Sequence, residues 1–251
     1  MADQNQKAEI FELNNGTVQL LVTNLGCTIT SFSVPNKDGV LSDVVLGLDS
    51  VESYQKGLAP LFWLHYPQTV SNGGNVGFDK KYESHDGEEG YPGDITVTAT
   101  YTLTSSTTLR LDMEGVPKNK PTIINLAQHT YWNLAGHNSG HILDHSIKIS
   151  ANHVTPVDQN TVPTGEIMPV KGTPFDFTAE RRIGDTINQV GLGYDHNYVL
   201  DCGEEKAGLK HAAKVRDPSS SRVLNFHISP SVVVRPGEKY QHSMLFEFSI
   251  E

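Results

Sequence analysis

Alternation with a period of two dominates the chain. After Asp94, the residues Ile95, Val97, Ala99, Tyr101 and Leu103 fall on one side, with threonines at most of the intervening positions. A strand with one apolar and one wet face produces this pattern, because successive side chains point to opposite sides of a sheet. Ser105 to Thr108 reads as a turn, and Leu109, Leu111 and Met113 then resume the alternation, so a β-hairpin is predicted. Near the C-terminus Met244, Phe246, Phe248 and Ile250 take one side, and Leu245, Glu247 and Ser249 the other. Val18, Leu20 and Val22 predict another strand, as does Ser146 to Ser150. Val232-Val233-Val234 is a β-branched run closed by the turn residues Arg235-Pro236-Gly237-Glu238. Helical periodicity is scarce, with room for a turn or two between Ala179 and Asn188. The reading is an all-β, sandwich-like domain spanning residues 1–251, with no repeat or linker.

Composition narrows the function. The net charge of −10 argues against nucleic acid or an anionic membrane as partner, since both favour a basic surface. No apolar run approaches the ~18 residues of a membrane helix, and the N-terminus lacks the apolar core of a secretion signal. Cys27 and Cys202 are too few for a disulfide framework, so a reducing, cytoplasmic setting is expected, with the protein acting as a monomer. His137, His141 and His145 recur every four residues, a spacing that would stack imidazoles for a metal on a helix. Asn138-Ser139-Gly140 argues for a loop there instead, and no metal site is expected. The glycines around Gly73 and Gly74 lack the Lys-Ser/Thr and helix of a phosphate cradle.

One segment carries chemistry. Asn125-Leu126-Ala127-Gln128-His129-Thr130-Tyr131-Trp132-Asn133-Leu134 resembles the signature of the aldose 1-epimerase (galactose mutarotase) family. In that family a histidine precedes a Thr/Ser-Tyr-Phe/Trp-Asn-Leu run. Further blocks follow the family's order: Asp86 to Gly93, Thr155 to Asp158 with Pro163 to Glu166, Gly172 to Phe177, Gly193 to Tyr198, and Val234 to Glu238. The resemblance implies an antiparallel β-supersandwich with some strands missing and a sugar cleft on its concave face. The implied reaction interconverts α and β anomers of hexoses such as galactose and glucose, with no metal or organic cofactor.

Anomer exchange moves two protons. One leaves the C1 hydroxyl and one reaches the ring oxygen, so an acid and a base must flank the sugar. The resemblance makes His129 the acid, a role suited to a side chain that titrates near pH 6.5, and burial beside Tyr131 and Trp132 is expected to tune it. It makes Asp195 a ligand for sugar hydroxyls. Trp132 is a candidate platform for a sugar's C–H face. Asn72 stands where the family has a second histidine.

Departures are as informative. Leu61 to Pro67 replaces the family's Asn-Arg motif, and Lys81 runs directly into Tyr82, as though connecting strands were lost. Between Leu224 and Ser231 the block holding the family's sugar-contacting Gln and catalytic Glu is missing. Glu88, Glu89, Glu166 and Asp176 remain as carboxylates that could substitute. The expected function is therefore an epimerase of reduced rate. The alternatives are a non-catalytic carbohydrate-binding pseudoenzyme, or an isomerase repurposed for a non-sugar lactol around Phe62 to Tyr66.

Overall fold

In the computed structural model the described residues are 9–55, 65–72, 75–191, 193–201, 203–206, 208–229 and 238–251. Strands run in the order β1 (Ile10–Asn14), β2 (Gln19–Thr23), β3 (Ile29–Pro35) and β4 (Leu41–Asp43), followed by a short helix, Val51–Gln55. Next come β5 (His65–Asn72), β6 (Asn75–Ser84), β7 (Ile95–Leu103), β8 (Thr108–Pro117), β9 (Ser146–Ile149) and β10 (His153–Thr155). The rest are β11 (Met168–Pro169), β12 (Arg181–Arg182), β13 (Asn197–Val199), β14 (Glu205–Lys206), β15 (Leu209–Arg216), β16 (Arg222–Ile228) and β17 (Tyr240–Ile250). The pairings are antiparallel, and they build a large sheet in the order β12-β9-β15-β16-β17-β8-β7-β6-β5, with β14 beside β15. The strands β1-β2-β3-β4 form a second sheet, and β11-β10-β13 a third.

Alternation decides which face is buried. On β8 the buried positions are Leu109, Leu111, Met113 and Gly115, and across the register on β17 stand Phe246, Met244, His242 and Tyr240. Leu20, Val22, Ile29, Phe32 and Val34 of the four-stranded sheet pack onto this face in one core with Tyr101, Leu103 and Phe248. The predicted hairpin is β7–β8, and the predicted strands at Val18–Val22, Ser146–Ser150 and the C-terminus are β2, β9 and β17. Ile250, expected on the buried side, is 44% exposed at the last position of β17. Ala179 to Asn188 holds a two-residue strand and two single 3₁₀ turns, Ile183–Asp185 and Ile187–Gln189. The Val232–Val234 run lies outside the described residues.

Where the sequence suggested lost strands, the chain is continuous. Lys81 and Tyr82 sit inside β6, paired with Thr98 and Val97 across an unbroken antiparallel register. The junction falls within one ten-residue strand whose pairing with β7 runs from Val76 to Ser84, so its backbone groups on that side have ladder partners. Among the described residues no helix is long and apolar enough to cross a membrane.

Two buried histidines set a pH limit on this fold. Burial holds both His145 and His242 below the usual histidine range, outweighing the pull of Asp217 in the case of His145. A depressed value means that the unfolded chain binds protons the folded chain refuses. The stability each contributes is therefore full above about pH 6.5 and is lost as the pH falls below it. Thermal melts between pH 7.5 and 5.5 should show a falling midpoint, before the carboxylates begin to titrate. A flat midpoint across that window would contradict the assignment.

Candidate active site

Beyond β8 the chain crosses the inner face of the large sheet as an extended segment, and its side chains alternate in exposure from Pro121 to Trp132. Ile124, Leu126, Gln128, Thr130 and Trp132 are partly buried, while Ile123, Asn125, Ala127, His129 and Tyr131 are exposed. Gly115 of β8 lets the segment approach, because an added methyl there would meet Ile124 at 3.1 Å. Among the described residues no backbone ladder holds residues 121–130. Side chains take its place. The Tyr240 hydroxyl accepts the Leu126 N–H at 3.1 Å, Gln128 Nε2 donates to the Tyr101 hydroxyl at 2.7 Å, and Thr130 Oγ1 donates to Gln128 Oε1 at 2.7 Å. Further on, Leu46 N–H donates to the Tyr131 carbonyl at 3.0 Å and Asn133 N–H to that of Val44 at 2.8 Å, so the edge of the four-stranded sheet clamps the signature.

A buried polar cluster fixes the far end. The Leu134 N–H donates to His145 Nε2 at 3.0 Å, which requires a lone pair there and places the proton of the neutral ring on Nδ1. Nδ1 lies 3.8 Å from Asp217, whose carboxylate accepts from the Ser219 hydroxyl at 2.7 Å and the Ser220 N–H at 2.8 Å. Burial pushes the Asp217 carboxyl up, but the Ser220 and Ser219 bonds and His145 outweigh it and hold the group below its usual range. The Leu134 carbonyl accepts from Arg222 Nη1 at 2.8 Å and the Ser220 hydroxyl at 3.0 Å. Arg222, 1% exposed, also reaches the carbonyls of Pro35 and Val40, each at 3.2 Å. These contacts provide the hydrogen bonds that a buried guanidinium requires.

Each candidate residue has a definite place. His129 is exposed rather than enclosed by its aromatic neighbours; its one ring partner is Tyr131, with centroids 5.2 Å apart. The reason is parity: in an extended segment, positions 128 and 130 face the sheet, so 129 faces away. The same parity turns Trp132 inward, against Phe32, Phe246 and Phe248, with centroids 6.4, 5.4 and 5.7 Å away. Its indole thus belongs to the core side, opposite the face that His129 presents.

Asp195 repeats the His129 arrangement in another loop. The Tyr194 hydroxyl donates to the Pro174 carbonyl at 3.1 Å and accepts from the Thr186 hydroxyl at 2.7 Å, while His196 packs on Phe175 at 4.5 Å. With both neighbours tied to the Pro174–Phe175 turn, Asp195 projects exposed between them. No hydrogen bond or ring contact joins Asp195 to His129 among the described residues. Asn72 ends β5 in register with Asn75, and its side chain lies outside the described residues.

The substitute carboxylates are committed elsewhere or stand apart. Glu88 is bonded to the Tyr82 hydroxyl; burial raises its pKa, but hydrogen bonds from Ser84 and Tyr82 outweigh this and keep it below the usual range. Asp176 accepts from Thr178 and Gly172 within its own turn. Glu166 is exposed in the loop before β11, and the side chain of Glu89 lies outside the described residues. Two cavities, of about 460 and 240 Å³, are lined by other residues, the first by His145 and Asp217 and the second by Tyr54 and His137. His129 lines neither. No group of three metal-ligating side chains forms among the described residues, and His137, His141 and His145 sit on a loop.

Tyr101, Gln128 and Tyr240 were not picked out as site residues from the sequence. A signal existed in the parity: Gln128 and Thr130 are polar at inward positions, and buried polar groups need partners.

A family model described as aldose 1-epimerase matches residues 63–234. The galactose mutarotase of Sus scrofa is 29% identical over 96% of this chain and 94% of its own length. The aldose 1-epimerase of Escherichia coli K12 is 28% identical over 86% of this chain and 74% of its own. The crystal structure of galactose 1-epimerase from Lactobacillus acidophilus superposes with a TM-score of 0.81 at 20% identity, covering 100% of this chain and 97% of that one. An aldose epimerase homologue from C. elegans gives 0.81 at 18% identity, covering 97% and 99%.

The two neighbouring aromatic-segment residues should separate in a stability assay. Trp132→Ala removes an indole from three aromatic partners and should cost about 3 kcal/mol in urea unfolding. His129→Ala touches nothing buried and should stay within about 0.5 kcal/mol. Equal costs would mean that the parity is misassigned.

Proposed function

This chain belongs to the aldose 1-epimerase family, and on that premise we infer that it is an isomerase that interconverts the α and β anomers of a free hexose such as galactose or glucose. The observation that carries the reading is His129, presented to solvent from a signature segment whose flanking residues are anchored. His129 serves as the acid that delivers a proton to the ring oxygen as the C1–O5 bond opens. The aldehyde rotates about C1–C2, and closure on the other face returns that proton to the imidazole. Tyr131 beside the ring offers an aromatic wall for the sugar, and Asp195 accepts from its hydroxyls. Trp132 supports from beneath by fixing the segment on the core, and Asn72 is assigned to the sugar's rim at the position of the family's second histidine.

The C1 hydroxyl must lose its proton in the same event. No residue of the sequence matches the family's catalytic Glu, and on this reading water or a dissolved base takes that proton. Loss of a positioned base lowers a rate by roughly 10²–10⁴. The result is a slow epimerase with its acid half in place.

Polarimetry on fresh α-D-galactose and α-D-glucose tests this. The protein should accelerate the decay above the buffer rate, and His129→Ala should remove most of that gain. Acetate or formate near 0.1 M should speed the wild-type reaction beyond their effect on the sugar alone, by standing in for the absent base. A decay equal to buffer, with and without carboxylate, would refute the assignment.

A further inference from the structure

We propose that Tyr101, Gln128 and Thr130 form a positioning chain that sets the direction of the His129 imidazole. This rests on the reading of His129 as the acid. Residues 128 and 130 flank His129 on the opposite side of the extended segment, and their side chains are joined to each other at 2.7 Å. Gln128 then donates to the Tyr101 hydroxyl at 2.7 Å, and that hydroxyl donates to the Cys27 carbonyl in the turn between β2 and β3 at 2.6 Å. Tyr101 is 1% exposed, so its bond to Cys27 is shielded from competing water, and the two bonds further along are half-buried.

The directions of donation are forced. The Tyr101 hydroxyl has one hydrogen, which the Cys27 carbonyl takes, leaving a lone pair for the amide of Gln128. Gln128 must therefore present its NH₂ to Tyr101 and its oxygen to Thr130, which fixes the amide in one of its two orientations. Among the described residues no backbone ladder spans residues 121–130, so this chain, the side-chain anchor nearest His129, resists rolling of the segment about its axis. A roll of a few tens of degrees would swing the imidazole off a reacting oxygen, a misplacement that costs rate rather than affinity.

Tyr101→Phe keeps the buried ring and deletes the hydroxyl, and Gln128→Leu deletes the other partner. Assayed well below their melting temperatures, each should lower kcat at least about tenfold with KM within about twofold of wild type. Because both act through one chain, the double variant should lose no more than the worse single one, a failure of additivity that unrelated destabilisation would not produce. Thr130→Ser, which keeps the hydroxyl, should retain the wild-type kcat, and Thr130→Val should not. Unchanged kcat in both single variants, or strictly additive losses, would overturn the proposal.

A wild-type rate equal to buffer would refute the anomerisation reading instead, and the positioning is then read by NMR. The nuclear Overhauser contact between the His129 and Tyr131 rings should weaken in Tyr101→Phe and Gln128→Leu, and an unchanged contact in both would overturn the chain.

Discussion

A single buried phenol ties the molecule together. The Tyr101 hydroxyl joins a strand of the large sheet to the Cys27 carbonyl in the turn that links β2 and β3 of the four-stranded sheet, and on its other side it takes the amide hydrogen of Gln128. A hydroxyl withdrawn from water must find partners or cost stability. Here the two partners come from distant parts of the chain, so satisfying one group ties the large sheet to the β2–β3 turn and to the signature segment. Burial, reinforced by Cys27, pushes its ionisation well above the ordinary tyrosine value, despite the opposing Gln128 bond. It therefore remains a donor across the working pH range.

The same economy shapes the candidate site. His129 and Asp195 come from different loops, yet each is an exposed residue held between two anchored neighbours: Gln128 and Thr130 in one case, Tyr194 and His196 in the other. Extended backbone makes this possible, because fixing positions on either side of a residue fixes the direction opposite to them. Reactive groups can then meet solvent without resting on a mobile backbone. Leu134, bonded through both its N–H and its carbonyl to the His145, Ser220 and Arg222 cluster, supplies the rigid end from which the signature extends.

Chemistry and architecture part company where the chain departs from its family. β6 runs unbroken through the junction of Lys81 and Tyr82, and β16 keeps its full register with β17 up to Ile228. Sheets tolerate such joins because ladder bonds are made by backbone, which every residue carries. A general base is not replaceable in that way. It needs a carboxylate at one position, and Glu88 is bonded to Tyr82 of β6 while Asp176 is bonded within its own turn.

By itself the sequence determined the strands β2, β7, β8, β9 and β17, the hairpin at Ser105–Thr108, the alternation on β7, β8 and β17, and the signature block. These follow from alternation and from short runs of neighbouring residues, which are local properties. Tertiary structure alone decided that His129 faces solvent while Trp132 faces Phe246, that Gln128 has its partner in Tyr101, and that His145 is a buried acceptor for the Leu134 N–H. Those outcomes depend on pairs separated by 74 residues for Cys27 and Tyr101, 27 for Tyr101 and Gln128, and 88 for Leu134 and Arg222. A period of two says which side chains share a face. Which distant group will cover that face depends on how the sheets pack, and no local pattern encodes it.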